Sequence, residues 1–280
     1  MSDVGGQAVI EGVMFKSKDK VSIAVRNPKK KIVVKSEKFS SVTKNKILGL
    51  PFIRGMIILV ETMILGMKAL NYSANISVEE EDGKGGLGFW SVLFTFVFSI
   101  GLALFLFKFV PLFLTDVLFD LENKYWFNLT EGLLKIAILV GYIYVISLMP
   151  DIKRVFQYHG AEHKVVNAHE NNDLKNVKKY STLHPRCGTS FIIFVLFLSI
   201  IVYMLVPLEF SFWAKLGIRI LLLPIIAGIA FELIKLSGKY RKSKFILALI
   251  SPGLLLQKMT TREPDADQIE VALKAFREVQ

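Results

Sequence analysis

Four long apolar stretches restrict this chain more strongly than any other feature of its sequence. Each is close to the roughly 20 helical residues that cross a hydrocarbon core about 30 Å thick. They run over 89–112, 132–150, 190–208 and 214–236. The 280 residues are 52% hydrophobic and include 22 Phe, a composition too apolar for an ordinary soluble domain of this length. The sequence therefore predicts a mainly α-helical, multi-pass membrane protein with about four transmembrane helices.

A fifth apolar segment, 47–70, carries charged residues in its middle. Arg54 and Glu61 are seven positions apart, so they share one face of a helix. Charges at the centre of a bilayer are costly, and this pattern predicts an amphipathic or re-entrant helix rather than a further crossing. A polar linker is expected over 71–88. Lys108 and Lys135 lie near the ends of predicted spans, where we expect them to extend towards the membrane surface.

Basic residues predict the orientation of the spans, because Lys and Arg accumulate in short cytoplasmic loops. The loop 151–189 is rich in them, whereas 113–131 holds a single Lys among four acidic residues. Four spans then place 151–189 and both termini in the cytoplasm and the protein in the cell membrane. The net charge of +11 is explained by this topology and by attraction to anionic lipid. Nucleic acid is not an expected partner, since no base-stacking platform or DNA-binding motif accompanies the lysines.

The segments outside the bilayer are predicted to be small. Residues 1–46 contain alternating Val and Ile runs around an Asn-Pro turn, which favours a cytoplasmic, β-rich unit of hairpin type. The C-terminal tail, 237–280, shows an apolar stripe on a charged background. This stripe predicts a short amphipathic helix that docks on the rest of the protein.

Three of the four histidines lie within the stretch "FQYHGAEHKVVNAHE". His159 and His163 are four apart, so a helix places both imidazoles on one face, one turn apart. Glu162 between them completes the pattern H-x-x-E-H of the inverted zincins, in which the Glu is the general base beside the metal. His169 and Glu170, just beyond the motif, are expected to be solvated.

The remaining histidine and the single cysteine follow in "HPRC". With His184 and Cys187 the donors form the pattern H-x3-H-x20-H-x2-C, and imidazole and thiolate ligands suit Zn²⁺ best. A chain with one cysteine cannot form an internal disulfide. These four residues are therefore predicted metal ligands, with Glu162 as the catalytic candidate.

Two questions stay open at this point. The histidines could instead satisfy hydrogen bonds near lipid headgroups or cap a helix end. If a metal is bound, four protein ligands make a closed structural site, whereas three leave a position for catalysis. Glu232, Glu61 and Arg54 are additional site candidates, because a charged residue in an apolar segment requires a partner or a function.

Several blocks of the chain resemble one family. They are "GGQAVIEGVM", "PFIRG", "FQYHGAEHK", "TLHPRCGTSF", "LLPIIAGIAFE" and "SPGLLLQKMTTREP". In this order, from residue 5 to residue 264, they are similar to the YqhQ-like bacterial membrane proteins, which are described as predicted metal-dependent enzymes. The resemblance implies a multi-pass membrane protein that depends on a metal.

Three functions are compatible with these patterns. The first is a membrane hydrolase that depends on Zn²⁺, acts at the cytoplasmic interface and takes a lipid-like or membrane-protein substrate. The second is a non-enzymatic scaffold or assembly factor with a structural zinc site. The third is a transporter with Arg54, Glu61, Arg219 and Glu232 along its path. Four spans make a poor carrier unless the protein forms a homo-oligomer.

Overall fold

The computed structural model describes residues 4–77, 89–119, 121–239 and 243–280. Four strands come first: β1 Gly5–Val9, β2 Gly12–Lys16, β3 Lys20–Arg26 and β4 Ile32–Lys38. The helices of the described ranges are α1 Ile53–Ser77, α2 Phe89–Leu104, α3 Val110–Leu118, α4 Lys124–Ser147, α5 Pro150–Glu170, α6 Gly188–Tyr203, α7 Phe212–Leu221, α8 Leu223–Lys239, α9 Lys244–Thr260 and α10 Ala266–Arg277. A π-helical turn, Phe105–Phe109, joins α2 to α3, and short 3₁₀ helices cover Val42–Lys44 and Leu174–Lys179.

The N-terminal strands form one antiparallel sheet in the order β1-β2-β3-β4. The predicted β-rich unit is therefore confirmed, and it contains four strands rather than one hairpin. Glu11, with φ 52°, closes the tight turn between β1 and β2. At Gly12 a Cβ atom would lie 2.2 Å from the Ala24 carbonyl oxygen, so only glycine allows β2 and β3 to approach this closely.

The sheet packs against α5 and α10 in a single hydrophobic core. Phe15 of β2, Tyr158 and Val165 of α5, and Ala272 and Phe276 of α10 are all buried there. The rings of Phe15 and Phe276 meet edge to face with centroids 5.2 Å apart. The predicted amphipathic helix of the tail is thus α10, and its apolar stripe docks on the protein. Segments from the beginning, middle and end of the chain form one folded unit.

The apolar helices only partly follow the prediction of four spans. Two helices are long and apolar enough to cross a membrane, Leu93–Leu118 and Lys124–Ser147. A third candidate is the pair Phe212–Leu221 and Leu223–Leu236, which is bent by 40°. Among the described residues there are accordingly two to three candidate spans, because the helix within 190–208 ends after 16 residues at Tyr203.

The bend in the last apolar pair has a local cause. Pro224 is the second residue of α8, and its ring nitrogen cannot donate the hydrogen bond that would continue α7. Beyond α8, the segment predicted as a tail contains a further helix, α9, which packs against α4, α6 and α8. At Gly253 of α9 a Cβ atom would lie 2.7 Å from the Ser190 hydroxyl, so α9 and α6 are in close contact.

Helix α1 occupies most of the segment predicted to be amphipathic or re-entrant. It begins at Ile53 and continues to Ser77, seven residues beyond the predicted end at 70. It packs on both the sheet and α8: Ala69 is buried against the sheet, and Gly55 lies against the Phe231 ring. Of the linker predicted for 71–88, the first seven residues belong to α1, and 78–88 lie outside the described residues.

A buried group of charged side chains joins the apolar helices. Glu131 of α4 pairs with Lys135 at 2.5 Å and with Arg219 of α7 at 2.8 Å. Lys108 donates a hydrogen bond to the Tyr203 hydroxyl at 2.9 Å. The expectation that Lys108 and Lys135 extend to the membrane surface is wrong, since they are 8% and 1% exposed. The lysines turn inwards because Glu131 and Tyr203 provide partners between the helices.

Glu131→Gln should lower the stability of the protein by about 3–5 kcal/mol, since it removes the carboxylate that pairs with two buried cations, Lys135 and Arg219. Thermal unfolding in detergent, followed by intrinsic fluorescence, measures the effect. Glu122→Gln is the matched control, because Glu122 is an exposed acid between α3 and α4. Equal unfolding temperatures for the two variants would contradict this role of Glu131.

Candidate metal centre

Helix α5 presents its two motif histidines side by side. It begins at Pro150, whose fixed φ suits the first turn of a helix, and it runs without interruption to Glu170. The His159 and His163 rings have centroids 4.4 Å apart. The prediction that these imidazoles share one helical face is confirmed, and the face is turned towards the body of the protein, with His163 only 2% exposed.

Cys187 joins the two histidines from another element. It is the residue that caps the N-terminus of α6, with its sulfur accepting from the Thr189 backbone N–H at 3.4 Å. Its Sγ atom lies 3.3 Å from Nε2 of His159. One ligand atom each from His159, His163 and Cys187 lies within 4.8 Å of the other two. A single ion can therefore be reached by all three side chains after small adjustments.

The hydrogen bonds of the two rings orient their other nitrogens for ligation. Nδ1 of His159 donates to the Thr260 carbonyl oxygen at 2.9 Å, and Nδ1 of His163 donates to the Thr182 carbonyl oxygen at 2.5 Å. Because a carbonyl oxygen only accepts, the proton resides on Nδ1 and each Nε2 keeps its lone pair. Histidines that bind metals in proteins almost always have this arrangement.

The Thr260 carbonyl can reach His159 because the residue that follows His159 in α5 is a glycine, Gly160. A Cβ atom at Gly160 would lie 2.0 Å from the Arg262 carbonyl oxygen. The backbone N–H of Arg262 also donates to the Phe156 carbonyl oxygen at 2.9 Å. Glycine at 160 thus lets the end of α9 run directly against α5, and this contact holds the His159 ring in place.

Glu162 lies beside the donor group and is enclosed. It is 6% exposed, and its Oε2 lies 3.5 Å from Nε2 of His163. Strand β1 covers it, because a Cβ atom at Gly6 would fall 2.5 Å from the Glu162 Cγ. Burial raises the pKa of the Glu162 carboxyl above its ordinary value, and His159, His184 and Arg186 oppose this shift. A carboxyl in these surroundings holds a proton more tightly than one in water.

His184 lies near the group, and its ring faces Glu170 and the backbone of Arg186. The ring centroids of His184 and His163 are 5.8 Å apart. The Arg186 backbone N–H donates to Nδ1 of His184 at 3.4 Å, and Nε2 lies 3.6 Å from a carboxylate oxygen of Glu170. The structure therefore brings three of the four predicted donors together and places the fourth beside them.

Glu170 is not the solvated residue that was expected. Its side chain is 9% exposed and forms an ion pair with Arg186, next to Cys187. His169 is half-buried, with its ring centroid 4.9 Å from that of Phe276. The expectation was wrong because the 181–187 segment folds back over the end of α5.

The other charged candidates form contacts of their own. Arg54 donates to both carboxylate oxygens of Glu232, with Nε at 2.8 Å, so these two link α1 to α8. Glu61 accepts from the Ser41 hydroxyl at 2.8 Å and from the Val42 backbone N–H at 2.8 Å. These contacts fasten the strand-to-helix connection to α1. Glu232 is thus engaged by Arg54 rather than grouped with the histidines.

A pocket of about 490 Å³ opens beside the donor group. We call it the site pocket. His159 and Cys187 line it, together with backbone of β1 at Gly6. Its other walls are mainly apolar side chains from α1, α5, α6 and α8, namely Ile58, Leu59, Phe156, Phe191, Phe231 and Ile234. Two of the three donor residues are therefore accessible to a molecule with apolar parts.

The fold and the site define a mainly helical protein with an N-terminal sheet, two to three candidate membrane spans and a His/His/Cys cluster. The chain belongs to the family described as "Protein of unknown function (DUF1385)", whose model matches residues 50–280. It is 38% identical over 293 residues to "Uncharacterized protein YqhQ" of Bacillus subtilis (strain 168), covering 98% of this chain and 91% of that protein. The resemblance to the YqhQ-like family is confirmed. No solved structure matches the chain.

The donor geometry predicts how zinc binding responds to substitution. His159→Ala and Cys187→Ala should each weaken zinc binding by roughly 10²–10⁴-fold, since about 10–16 kcal/mol in a zinc site is shared among three or four ligands, about 3–5 kcal/mol each. The zinc content of protein dialysed against a weak chelator, measured by mass spectrometry, reports the loss. His169→Ala should keep wild-type zinc, because His169 lies against Phe276. Loss of zinc in all three variants would contradict the assignment.

Proposed function

We propose that this protein is an integral membrane hydrolase that uses a metal ion, Zn²⁺, at a site on the cytoplasmic membrane interface. One observation carries the proposal: the Nδ1 atoms of His159 and His163 donate to backbone carbonyls, so both Nε2 atoms keep the lone pair that a metal requires, with Cys187 close by. This arrangement suits metal ligation better than hydrogen bonding to lipid headgroups, since the donors are turned inwards.

The type and number of donors favour zinc in a catalytic role. Two imidazole nitrogens and one sulfur match the ligands of Zn²⁺, and three protein ligands are the usual number in catalytic zinc sites. A bound ion would supply Lewis acidity and raise the acidity of a water molecule. His159, His163 and Cys187 would hold it, and their backbone hydrogen bonds would preserve their orientation.

Glu162 is the residue that we assign as the general base. Its carboxylate lies 3.5 Å from Nε2 of His163, and β1 shields it from bulk water. An enclosed carboxylate with few competing partners can take a proton from the attacking water and return it to the leaving group. Its position between the two histidines matches the inverted zincin pattern.

The packing of the chain supports a cytoplasmic location for this site. The sheet, α5 and α10 share one core, so both terminal segments and the histidines lie on one side of any membrane that the chain crosses. An even number of crossings meets this condition, and we propose four, with α6 and the bent α7–α8 pair as the last two. The basic residues of 151–189 favour the cytoplasm for this side by the positive-inside rule.

A scaffold protein with a structural zinc site is the second candidate. The contacts of His184 favour it: its backbone N–H donates to the Gln257 side chain at 2.9 Å, and the Gln257 amide donates to its carbonyl oxygen at 2.9 Å. This double link holds the "HPRC" turn to α9, as a stapled loop requires. A closed site would need His184 to exchange its contacts with Glu170 and Arg186 for the metal.

Glu162→Gln separates hydrolysis from metal binding. The variant should keep the zinc content of the wild type and lose product formation by about 10²–10⁴-fold, because the amide cannot accept the proton. Proteoliposomes made from bacterial lipid extract provide the assay, with lipid products identified by mass spectrometry. Glu263→Gln is the control, since the Glu263 side chain is 71% exposed. Undiminished products from Glu162→Gln would show that the base is wrongly assigned.

A further inference from the structure

A second, larger pocket adjoins the site pocket and is strongly basic. It encloses about 710 Å³, and we call it the basic pocket. Its cationic lining residues are Lys16, Lys18, Lys44, Arg54, Arg186 and Lys235. Among the described residues that line it, none is Asp or Glu. The cations come from β2 and the turn after it, the segment before α1, α1 itself, the "HPRC" turn and α8, so the fold gathers them from distant parts of the sequence.

Only some of these charges are balanced by acids of the protein. Arg54 pairs with Glu232 and Arg186 with Glu170, while Lys16 lies 3.8 Å from a carboxylate oxygen of Glu61. Lys44 pairs with Asp19 at 3.2 Å. Within the described part of the chain, neither Lys18 nor Lys235 forms a close ion pair, and Lys235 shares the attraction of Glu232 with Arg54. The pocket therefore keeps a surplus of positive charge, which favours an anionic ligand.

The basic pocket and the site pocket share a wall. Gly6, Ile58, Thr62, Arg186 and Phe231 line both. The basic pocket, on one side of this wall, is polar and cationic. The site pocket, on the other side, is lined by apolar side chains and reaches His159 and Cys187. A ligand that occupied both spaces would need an anionic end and an apolar end.

We infer that the basic pocket binds the anionic phosphate headgroup of a phospholipid, whose apolar part extends into the site pocket. Lys and Arg are the usual ligands of phosphate, and the volume of the basic pocket is within the range of small-molecule sites. Anionic lipids are also concentrated at the cytoplasmic face, where the site is proposed to lie. The inference rests on the proposed function and names its substrate class as anionic phospholipids.

Lipid retention by the purified full-length protein tests this inference. Native mass spectrometry in a neutral detergent counts the bound molecules after addition of dioleoyl phosphatidylglycerol or dioleoyl phosphatidylcholine, which differ in headgroup charge. The wild type should bind the anionic lipid more tightly. Lys18→Gln combined with Lys235→Gln should weaken this binding on the order of 20-fold, since each lysine near a lipid phosphate contributes about fivefold.

Matched variants make the outcome specific to the pocket. Lys175→Gln combined with Lys178→Gln removes the same charge from exposed positions after α5 and should leave binding unchanged. Lys18→Arg combined with Lys235→Arg should also retain binding. Equal retention of the two lipids, or equal loss from both Gln double variants, would overturn the inference. If inorganic phosphate alone bound as tightly, with the same dependence on Lys18 and Lys235, the ligand would be free phosphate and the lipid assignment would fall.

Zinc content measured on the same samples separates this inference from the proposed function. Retention of zinc with no preference for anionic lipid would overturn the lipid site and leave the metal centre standing. Selective lipid binding by a protein that takes up no zinc would support the basic pocket and remove the basis for a metal-dependent hydrolase.

Discussion

The candidate site depends on two hydrogen bonds from imidazole rings to backbone carbonyls. Thr260 ends α9 and Thr182 precedes the "HPRC" turn, so each carbonyl belongs to a different part of the chain. Both rings are consequently in the tautomer that leaves Nε2 available. If either segment moved, its histidine would lose the acceptor that defines its orientation. Gly160 is essential in this respect, because any larger residue would collide with the Arg262 carbonyl.

The same contacts connect the site to the apolar helices. Cys187 begins α6, and Thr260 ends α9, which packs against α6. The site is therefore built where the folded unit of sheet, α5 and α10 meets the apolar helices. An interface of this kind gives a reacting group access to both a polar and an apolar part of one ligand. The basic pocket is the polar part, and the adjoining site pocket is mainly apolar.

Local patterns in the sequence were sufficient to predict much of this arrangement. The spacing of His159 and His163 predicted their shared face, since a helix has a fixed period. Cys187 could be predicted as their partner because imidazole and thiolate ligands are rare in this chain. The β-rich N-terminus and the amphipathic helix near the C-terminus were also predicted, because both show a clear alternation of apolar and polar residues.

Features that depend on distant residues could not be predicted in this way. The Arg54–Glu232 pair joins positions 178 apart, so the sequence showed that each charge needs a partner or a function but not which partner it has. Lys108 and Lys135 point inwards because helix packing brings Glu131, Tyr203 and Arg219 together. No pattern of side chains in the sequence indicates that the Thr260 and Thr182 carbonyls accept hydrogen bonds from the histidines. His184 illustrates the same limit, since its spacing to Cys187 suits a metal but the fold turns its ring towards Glu170 and the Arg186 backbone N–H.

We propose that His159, His163 and Cys187 bind one zinc ion and leave one coordination position open. X-ray absorption at the zinc edge of the metal-loaded protein tests it most directly. We expect one sulfur at about 2.3 Å, two imidazole nitrogens at about 2.0–2.1 Å, and outer-shell scattering from two rings. A spectrum without sulfur, or with scattering from three imidazole rings, would contradict it.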